Sequence, residues 1–139
     1  MATTTDRDGL EALGRDECLQ LLATATVGRI ALHWDALPRV LPVNFALDGE
    51  TVVFRTGPGT KLAAAAAGAV VAFEVDDIDP WYHDGWSVVV TGIASALTGE
   101  ALARATRLPL RPWAPGARND YVAIMPTLVS GRRLSRRSA

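Results

Sequence analysis

The chain of 139 residues has a mass of 14.8 kDa, is 49% hydrophobic and carries a formal net charge of −1. This length and hydrophobic fraction predict one globular domain with its own core. The near-zero net charge excludes a protein that attracts nucleic acid or anionic membranes through its overall field. No apolar run approaches the ~20 residues needed to span a bilayer, and the N-terminus lacks an apolar signal core. We therefore expect a soluble cytoplasmic protein.

The N-terminal part predicts a short helix followed by strands. Residues 1–12 read as a loose, flexible polar lead-in. The stretch GRDECLQLLATA, which starts at Gly14, brings Cys18, Leu19 and Leu22 together, as is typical of a short amphipathic helix. The stretch VGRIALHW then begins a part of the chain that is rich in β-branched residues, as is typical of strands. Cys18 is the only cysteine, which excludes a disulfide framework within the chain, and its place on the apolar side predicts a buried, inert thiol.

A β-hairpin is predicted next, from PRVLPVNFAL and TVVFRT around the turn Asp48-Gly49. Pro42 cannot donate a ladder hydrogen bond, so the first strand should lie at an edge or contain a bulge there. The residues on the core-facing side of that strand alternate with the others: Leu41, Val43, Phe45 and Leu47.

The rest of the chain predicts a mainly β fold. AVVAFEVD, WSVVVTGIASALT and YVAIMPTLVSGRRL read as strands, a short helix is predicted over Glu100–Arg107, and a proline-rich segment precedes the last strand. About six strands and three short helices, with hairpin-like spacing, favour an antiparallel barrel, since closure removes exposed strand edges. The domain is predicted at residues 13–134, followed by a basic tail at 135–139.

The stretch FRTGPGTKL contains a candidate anion site. The strand ends near Thr56, Gly57 leaves its amide accessible, and Thr60 is a natural N-cap for a helix that begins at Lys61 and ends at Gly68. Amide groups, hydroxyls and an ammonium at a helix start suit a phosphate. The same features occur in strand-to-helix corners that bind nothing, and the P-loop spacing is absent. The local chemistry therefore leaves both interpretations open.

The order of these segments along the chain resembles that of a known protein family. A helix, then VGRIALHWDALPRVLPVNFALDGETVVFRTGPGTKL, then AVVAFEVDD and GWSVVVTGIA, resembles the pyridoxamine 5′-phosphate oxidase-like family of the FMN-binding split-barrel superfamily, in its short actinobacterial-type branch. The resemblance covers roughly residues 13–134. It implies a homodimer of six-stranded antiparallel split β-barrels with FMN sites at the interface, and a flavin-dependent oxidoreductase that acts on a small molecule.

The resemblance also implies which residues contact FMN. The loop after the first hairpin would hold the phosphate, strand residues would meet the polar edge of the ring, and the partner subunit would contribute the start of a later strand. No catalytic side chain is implied. The implied contacts are, for the phosphate and ribityl chain, Arg55, Thr56, Gly57, Thr60 and Lys61; for the ring, Val43 and Asn44; from the partner, Trp86 and Ser87; and, near the ligand, Arg132.

Other functions remain open on this sequence. The same fold binds the deazaflavin coenzyme F420 in related reductases, and a non-catalytic flavin or haem carrier or sensor is a further alternative. A haem would need His33 or His83 as its axial ligand. The tryptophans Trp81, Trp86 and Trp113 would wall a planar ligand or pack in a dimer core. The acids around residues 76–84 are predicted to form a polar turn, and no metal site is expected.

Overall fold

The computed structural model describes residues 4–5, 10–56, 61–110 and 120–134, and at positions 4, 5 and 61 it describes the backbone only. The helices are α1 (Arg15–Ala23), α2 (Lys61–Ala66) and α3 (Gly99–Ala105). The strands are β1 (Thr4–Thr5), β2 (Glu11–Leu13), β3 (Val27–Trp34), β4 (Leu37–Asp48), β5 (Thr51–Thr56), β6 (Val70–Asp79), β7 (Asp84–Ala96) and β8 (Asp120–Leu134).

The six longer strands close into an antiparallel barrel. The strand order is β8-β5-β4-β3-β6-β7, and β7 pairs again with β8. Strand β8 can close the ring because its first part pairs with β5 while its whole length runs along β7. The predicted fold class is therefore confirmed. Closure leaves no free edge along most of the ring, as expected for a small antiparallel sheet.

Two short strands add to the six that the sequence predicts. Strand β1 pairs with β2, and β2 pairs with the C-terminal part of β8. The interpretation of residues 1–12 as a loose lead-in misses these strands. Their sequences are too short to show an alternating pattern. Strand β8, the partner of β2, is more than a hundred residues away in the chain.

The barrel interior forms the main core, and period-2 alternation explains it. Alternate residues of every long strand point inward, so that Val43, Phe45 and Phe54 are buried while their neighbours face outward. Phe73 contacts Phe45 edge to face, with ring centroids 4.8 Å apart. The core-facing side predicted for β4 is therefore confirmed.

The helices cover the barrel. Helix α1 buries Cys18 and Leu22 in the main core, and burial raises the pKa of the Cys18 thiol, with Glu17 adding to the shift. A protonated, enclosed thiol agrees with the prediction of an inert cysteine. Helix α2 begins at Lys61 as predicted, and Gly68, with a φ of 73°, follows its end. Helix α3 lies outside the barrel over Val53, within a second cluster.

Pro42 lies where strand β4 has one neighbour. It pairs with Arg29 of β3, whereas the pairing of β4 with β5 begins only at Phe45. The predicted edge position is therefore confirmed for this part of the strand, and the missing N–H interrupts no ladder on the β5 side. Among the described residues, no helix is long and apolar enough to cross a membrane.

Candidate functional site

The end of β5 brings two predicted site residues together. Thr56 is only 4% exposed, and it is the one buried polar or charged side chain among the described residues. It pairs with Asp120 of β8. The preceding Arg55 points to the other side of the strand, where its guanidinium lies 5.3 Å from the centre of the Tyr121 ring. A hydroxyl and a guanidinium thus stand at the start of the predicted phosphate loop.

The predicted loop itself is described only at its two ends. Gly57 and Thr60 lie outside the described residues, and for Lys61 only the backbone is described. Helix α2 spans six residues, and Ala66 is buried in the main core. The roles of Gly57, Thr60 and the Lys61 ammonium therefore stay predictions from the sequence.

Two residues of β4 complete this group. Val43 faces the barrel interior and is 8% exposed, so only its backbone can meet an external ligand. Asn44 points outward and pairs with Val27 of β3. Since Phe45 pairs with Phe54, the next residues of the two antiparallel strands, Asn44 and Arg55, are neighbours on the outer surface. The amide, guanidinium and hydroxyl form what we call the β5 group (Asn44, Arg55 and Thr56).

The other predicted residues form a second group at the start of β7. Ser87 pairs with Arg132 of β8, and Trp86 pairs with Arg133. Trp86 packs partly against the core and lines a cleft of about 400 Å³. Half of the remaining lining residues of that cleft are acidic: Asp77, Asp79, Asp84, Gly85, Arg133 and Leu134. We call Trp86, Ser87 and Arg132 the β7 group.

The two groups lie at opposite ends of β8. Arg55 pairs with Tyr121, whereas Ser87 pairs with Arg132, eleven residues further along the same strand. A strand rises about 3.3 Å per residue, so these positions are about 35 Å apart along the strand.

Around the barrel the two groups are closer. Asn44 pairs with Val27 of β3, and Asp76 of β6 pairs with Ser87 of β7. The β3–β6 register places Val27 opposite Asp76, so Asn44 and Ser87 lie on one lateral row, about 14 Å apart over three strand spacings.

A third group, which the sequence reasoning missed, lies between them. Arg29 of β3 lies opposite Glu74 of β6, and its Nη1 is 3.6 Å from both Glu74 Oε1 and Asp76 Oδ2. Glu74 Oε1 is buried and accepts no hydrogen bond. Asp76 pairs with Ser87, next to the β7 group. The signal in the sequence was a glutamate on the non-core side of a strand otherwise rich in valine.

The environment of Glu74 holds a proton close to neutral pH. Burial first, and then the neighbouring Asp76 carboxylate, raise the pKa of Glu74, and the guanidinium of Arg29 opposes both, so that the pKa of Glu74 is about 7. The side chain as a whole is 34% exposed, but Oε1 itself is covered, and desolvation acts on that atom. The Glu74 carboxyl therefore exchanges a proton near neutral pH, beside the side chain of Asp76.

The alternative ligands considered from the sequence find less support. His33 and His83 are both exposed, on the outside of β3 and in the turn before β7. Trp81 is 89% exposed at the tip of the β6–β7 hairpin, where Asp79 Oδ1 accepts hydrogen bonds from the backbone N–H groups of Trp81 and Tyr82. Trp113 lies outside the described residues. Across the described ranges, no three His, Cys, Asp or Glu side chains are placed to hold a metal.

Comparisons with known proteins decide the family. The model of a family described as pyridoxamine 5′-phosphate oxidase matches residues 14–133. The chain belongs to the pyridoxamine 5′-phosphate oxidase family. The resemblance predicted from the sequence is thus confirmed. Among curated proteins of this kind, the uncharacterized protein Rv0080 of Mycobacterium tuberculosis is 43% identical over 128 residues, covering 88% of this chain and 84% of that protein.

Solved structures agree with this membership of the pyridoxamine 5′-phosphate oxidase family. The FAD binding protein from Mycobacterium smegmatis is 40% identical, with a TM-score of 0.77 over 89% of this chain and 97% of that one. A conserved protein of unknown function from Corynebacterium diphtheriae is 33% identical, with a TM-score of 0.76 over 90% and 98%. The barrel and its connections are therefore shared over nearly the whole chain.

Proposed function

We propose that this chain is a flavin-binding protein whose β5 group holds the phosphate end of the cofactor. The observation that carries the proposal is the adjacency of Asn44 and Arg55 on the outer surface, at the start of the loop that resembles the family's phosphate loop. The donor set fits the group. A guanidinium donates to phosphate oxygens, and an amide both donates and accepts at a polar ring edge. Thr56 is next in the chain but is buried on the inner side of the strand.

The choice of flavin extends this proposal. The sequence predicts FMN, while the 40% identical relative is described as an FAD binding protein. The two nucleotides share the ring, the ribityl chain and the first phosphate, so the β5 group suits either one. We place FAD beside FMN as the first candidates, and the deazaflavin coenzyme F420 behind them.

The proposed activity is redox chemistry on a small molecule. When bound, the flavin would supply the electron-transfer chemistry, and the protein would supply an anchor, a shaped surface and hydrogen bonds. None of the described side chains is assigned a catalytic role. This division of labour is expected for a cofactor whose ring reacts without a protein nucleophile.

We further propose that the functional unit is a homodimer. Five apolar side chains, each more than half exposed, lie on neighbouring strands of one outer surface: Val40, Val70, Ile93, Met125 and Leu128. Lateral pairs join them into two rows. One runs from Val40 to Leu128 across β4, β3, β6, β7 and β8 through Ala31, Ala72 and Thr91. The other joins Val70, Ile93 and Met125 across β6, β7 and β8. We call this surface the apolar face. A contiguous apolar patch of this kind is typical of a protein–protein contact.

The resemblance to the family also supports a homodimer. It implies that the start of β7 comes from the partner subunit, so a second copy in two-fold arrangement would bring its β7 group to the first copy's β5 group. The cofactor would then lie between the subunits and contact both of them.

Titration of the purified protein with candidate cofactors tests the central proposal. We expect saturable binding of FAD or FMN with a changed flavin absorption spectrum, and weaker binding of F420 and haem. Preference for F420 would keep the phosphate anchor and replace the cofactor. Binding of none of the four would overturn the proposed function.

Arg55→Gln is expected to weaken flavin binding. Loss of a charge-assisted hydrogen bond to phosphate costs about 1–3 kcal/mol, or roughly fivefold to 150-fold in Kd. Lys61→Ala is expected to cost a similar amount if the predicted loop is correct. The measurement is flavin fluorescence titration of each folded variant.

A matched control for this experiment is Arg104→Gln. Arg104 is 57% exposed and its Nε lies 3.2 Å from Asp48 Oδ2, so its removal changes the net charge equally but away from the β5 group. Its surface ion pair contributes at most about 1 kcal/mol to stability. Equal flavin affinities for Arg55→Gln, Arg104→Gln and wild type would show that the anchor lies elsewhere.

Leu128→Arg is expected to dissociate the homodimer. Leu128 is 65% exposed in the apolar face, and each dimer would bury two guanidinium groups without partners. We expect the dimer Kd to rise by about 100-fold or more, as measured by sedimentation or light scattering. Flavin affinity should fall with it, because the partner's β7 group is lost.

Leu37→Arg provides the control for this variant. Leu37 is similarly exposed, at 57%, but it lies at the β3–β4 turn, and its side chain points to the opposite side of β4 from that of Val40. The Leu37→Arg variant should remain dimeric. A functional dimer that holds its cofactor at the interface should have a Kd well below about 10 µM, so a wild-type protein that is monomeric at about 10 µM with flavin bound would contradict the homodimer.

A further inference from the structure

The cluster of Arg29, Glu74 and Asp76 lies on the border of the apolar face. Glu74 is two residues from Ala72 on the outer side of β6, and Arg29 is two residues from Ala31 on β3. Ala31 and Ala72 pair with each other in the middle of the apolar face. A second copy that covers the apolar face will therefore also cover this cluster or lie directly against it.

The cluster has unusually poor hydrogen bonding for its burial. The two ion pairs of Arg29 are 3.6 Å long, beyond a good hydrogen bond, and Glu74 Oε1 is buried without a donor. A buried ionised oxygen without a partner is costly, and protonation of the carboxyl removes most of that cost.

The charge of the cluster depends on one proton. With Glu74 protonated, Arg29 and Asp76 balance each other, whereas with Glu74 ionised the cluster carries a charge of −1. The adjacent strand β7 carries no cation here, since Val89 lies opposite Glu74 and Ser87 lies opposite Asp76. The next cation on that side is Arg132 of β8, which pairs with Ser87. On the near side, Pro42 lies beside Arg29.

We infer that self-association of this chain through the apolar face is coupled to proton uptake by Glu74, so that the dimer is favoured when the cluster is neutral. This inference rests on the proposed homodimer. Two neutral clusters can be desolvated together at low cost, but two clusters of charge −1 lose hydration and, near the two-fold axis, repel each other.

The direction of the pH dependence follows. The pKa of Glu74 is raised to about 7 by burial in the separate chain, and covering it further in a dimer raises that pKa again. Association therefore takes up protons, is strongest below pH 7, and weakens as the pH rises through 7. Each proton taken up changes the dimer Kd by up to about tenfold per pH unit, and a dimer takes up as many as two.

Sedimentation equilibrium of the full-length protein between pH 6 and 8.5, at constant ionic strength, tests this inference. We expect the wild-type dimer Kd to rise by about tenfold or more across this range. Glu74→Gln, a neutral replacement of the same shape, should stay dimeric with a nearly constant Kd. Glu50→Gln is the matched control, since Glu50 is also ion-paired, with Arg15 at 3.1 Å, but lies at the β4–β5 turn. It should keep the wild-type pH dependence.

A second variant keeps the test decisive if Glu74→Gln fails to fold. In Asp76→Asn the cluster is neutral with Glu74 ionised, because Arg29 balances it, so the pH dependence should again be flattened. The same pH dependence in wild type, Glu74→Gln and Asp76→Asn would assign the proton to another group and overturn the inference. A dimer with constant Kd in the wild type would overturn it and leave the homodimer intact, whereas a monomer at every pH would overturn both.

Discussion

Replacement of Gly92 by alanine is expected to lower the free energy of unfolding by about 3 kcal/mol or more. Gly92 is buried in β7 at the point where its pairing with β8 shifts register. A Cβ at this position would lie 1.9 Å from the backbone oxygen of Met125 and 2.9 Å from its carbonyl carbon. Because these are backbone atoms, no side-chain rotation can relieve the overlap.

The overlap also affects the closure of the barrel. Strands β7 and β8 form the longest pairing in the sheet, and the β-bulge between Thr91 and Gly92 sets their relative register. To admit a methyl group the strands must separate at the bulge, which breaks ladder hydrogen bonds on both sides of it. We therefore expect a lower midpoint of thermal unfolding, by about 10 °C, rather than a local adjustment.

Gly14→Ala provides the control for Gly92→Ala. Gly14 precedes α1 with a φ of −73°, and a Cβ built there has no heavy atom within 4 Å. Alanine adopts that backbone conformation readily, so a change within about 0.5 kcal/mol is expected. Circular dichroism melts of the two variants give the comparison. Equal stability of Gly92→Ala and wild type would mean that β7 and β8 approach less closely than the structure describes.

The sequence predicted the barrel because the relevant signals are local. Alternation within each strand and the turn at Asp48-Gly49 fixed the hairpin and the core-facing side of β4. The position of Pro42 also followed from chemistry, since a residue without an N–H needs a place where one strand neighbour is absent. Each of these features depends on residues that are close together in the chain.

Features that depend on the register between distant strands could not be predicted from the sequence. Arg29 and Glu74 are 45 residues apart and meet only because β3 pairs with β6 at that offset. Nothing in either strand specifies this offset, because a shift by two residues would keep the same core-facing sides. The short strand β2 was missed for a related reason, since its pairing with β8 brings together the two ends of the chain.

Some of the predicted site residues lie close together, although their role in binding stays a prediction. Asn44, Arg55 and Thr56 were predicted and lie together, and so were Ser87 and Arg132, which pair directly. The arrangement of the two groups around the barrel depends on the pairings of β4 with β3, β3 with β6 and β6 with β7, which no local pattern specifies. The resemblance to the family implied that the second group comes from a partner, and this stays a proposal.

The last prediction concerns the contact between Gly28 and Phe73 inside the barrel. A Cβ at Gly28 would lie 2.2 Å from Cζ of Phe73 and 2.7 Å from Cε1, so the tip of the ring occupies the space above the glycine. Gly28→Ala forces the ring away and is expected to cost about 1–3 kcal/mol. Phe73→Leu shortens the side chain and leaves a cavity, at a cost of about 1–2 kcal/mol.

The double variant should be less destabilised than the sum of the single variants. With leucine at position 73 the ring tip is gone, and the methyl group of alanine at position 28 fills part of the space. We expect a favourable coupling of about 1 kcal/mol or more, measured by urea unfolding of all four proteins. This sign of coupling is specific to a direct steric contact, since two independent core defects would simply add.

Phe45 supplies the control for this cycle. It contacts Phe73 at 4.8 Å between ring centroids but is not among the nearest atoms to a Cβ at Gly28. Phe45→Leu combined with Gly28→Ala should therefore be additive within about 0.5 kcal/mol. If Gly28→Ala couples equally to both phenylalanines, the strain spreads through the whole core. If it couples to neither, the ring of Phe73 does not lie over Gly28, and the pairing of β3 with β6 that positions both Phe73 and Glu74 must be shifted.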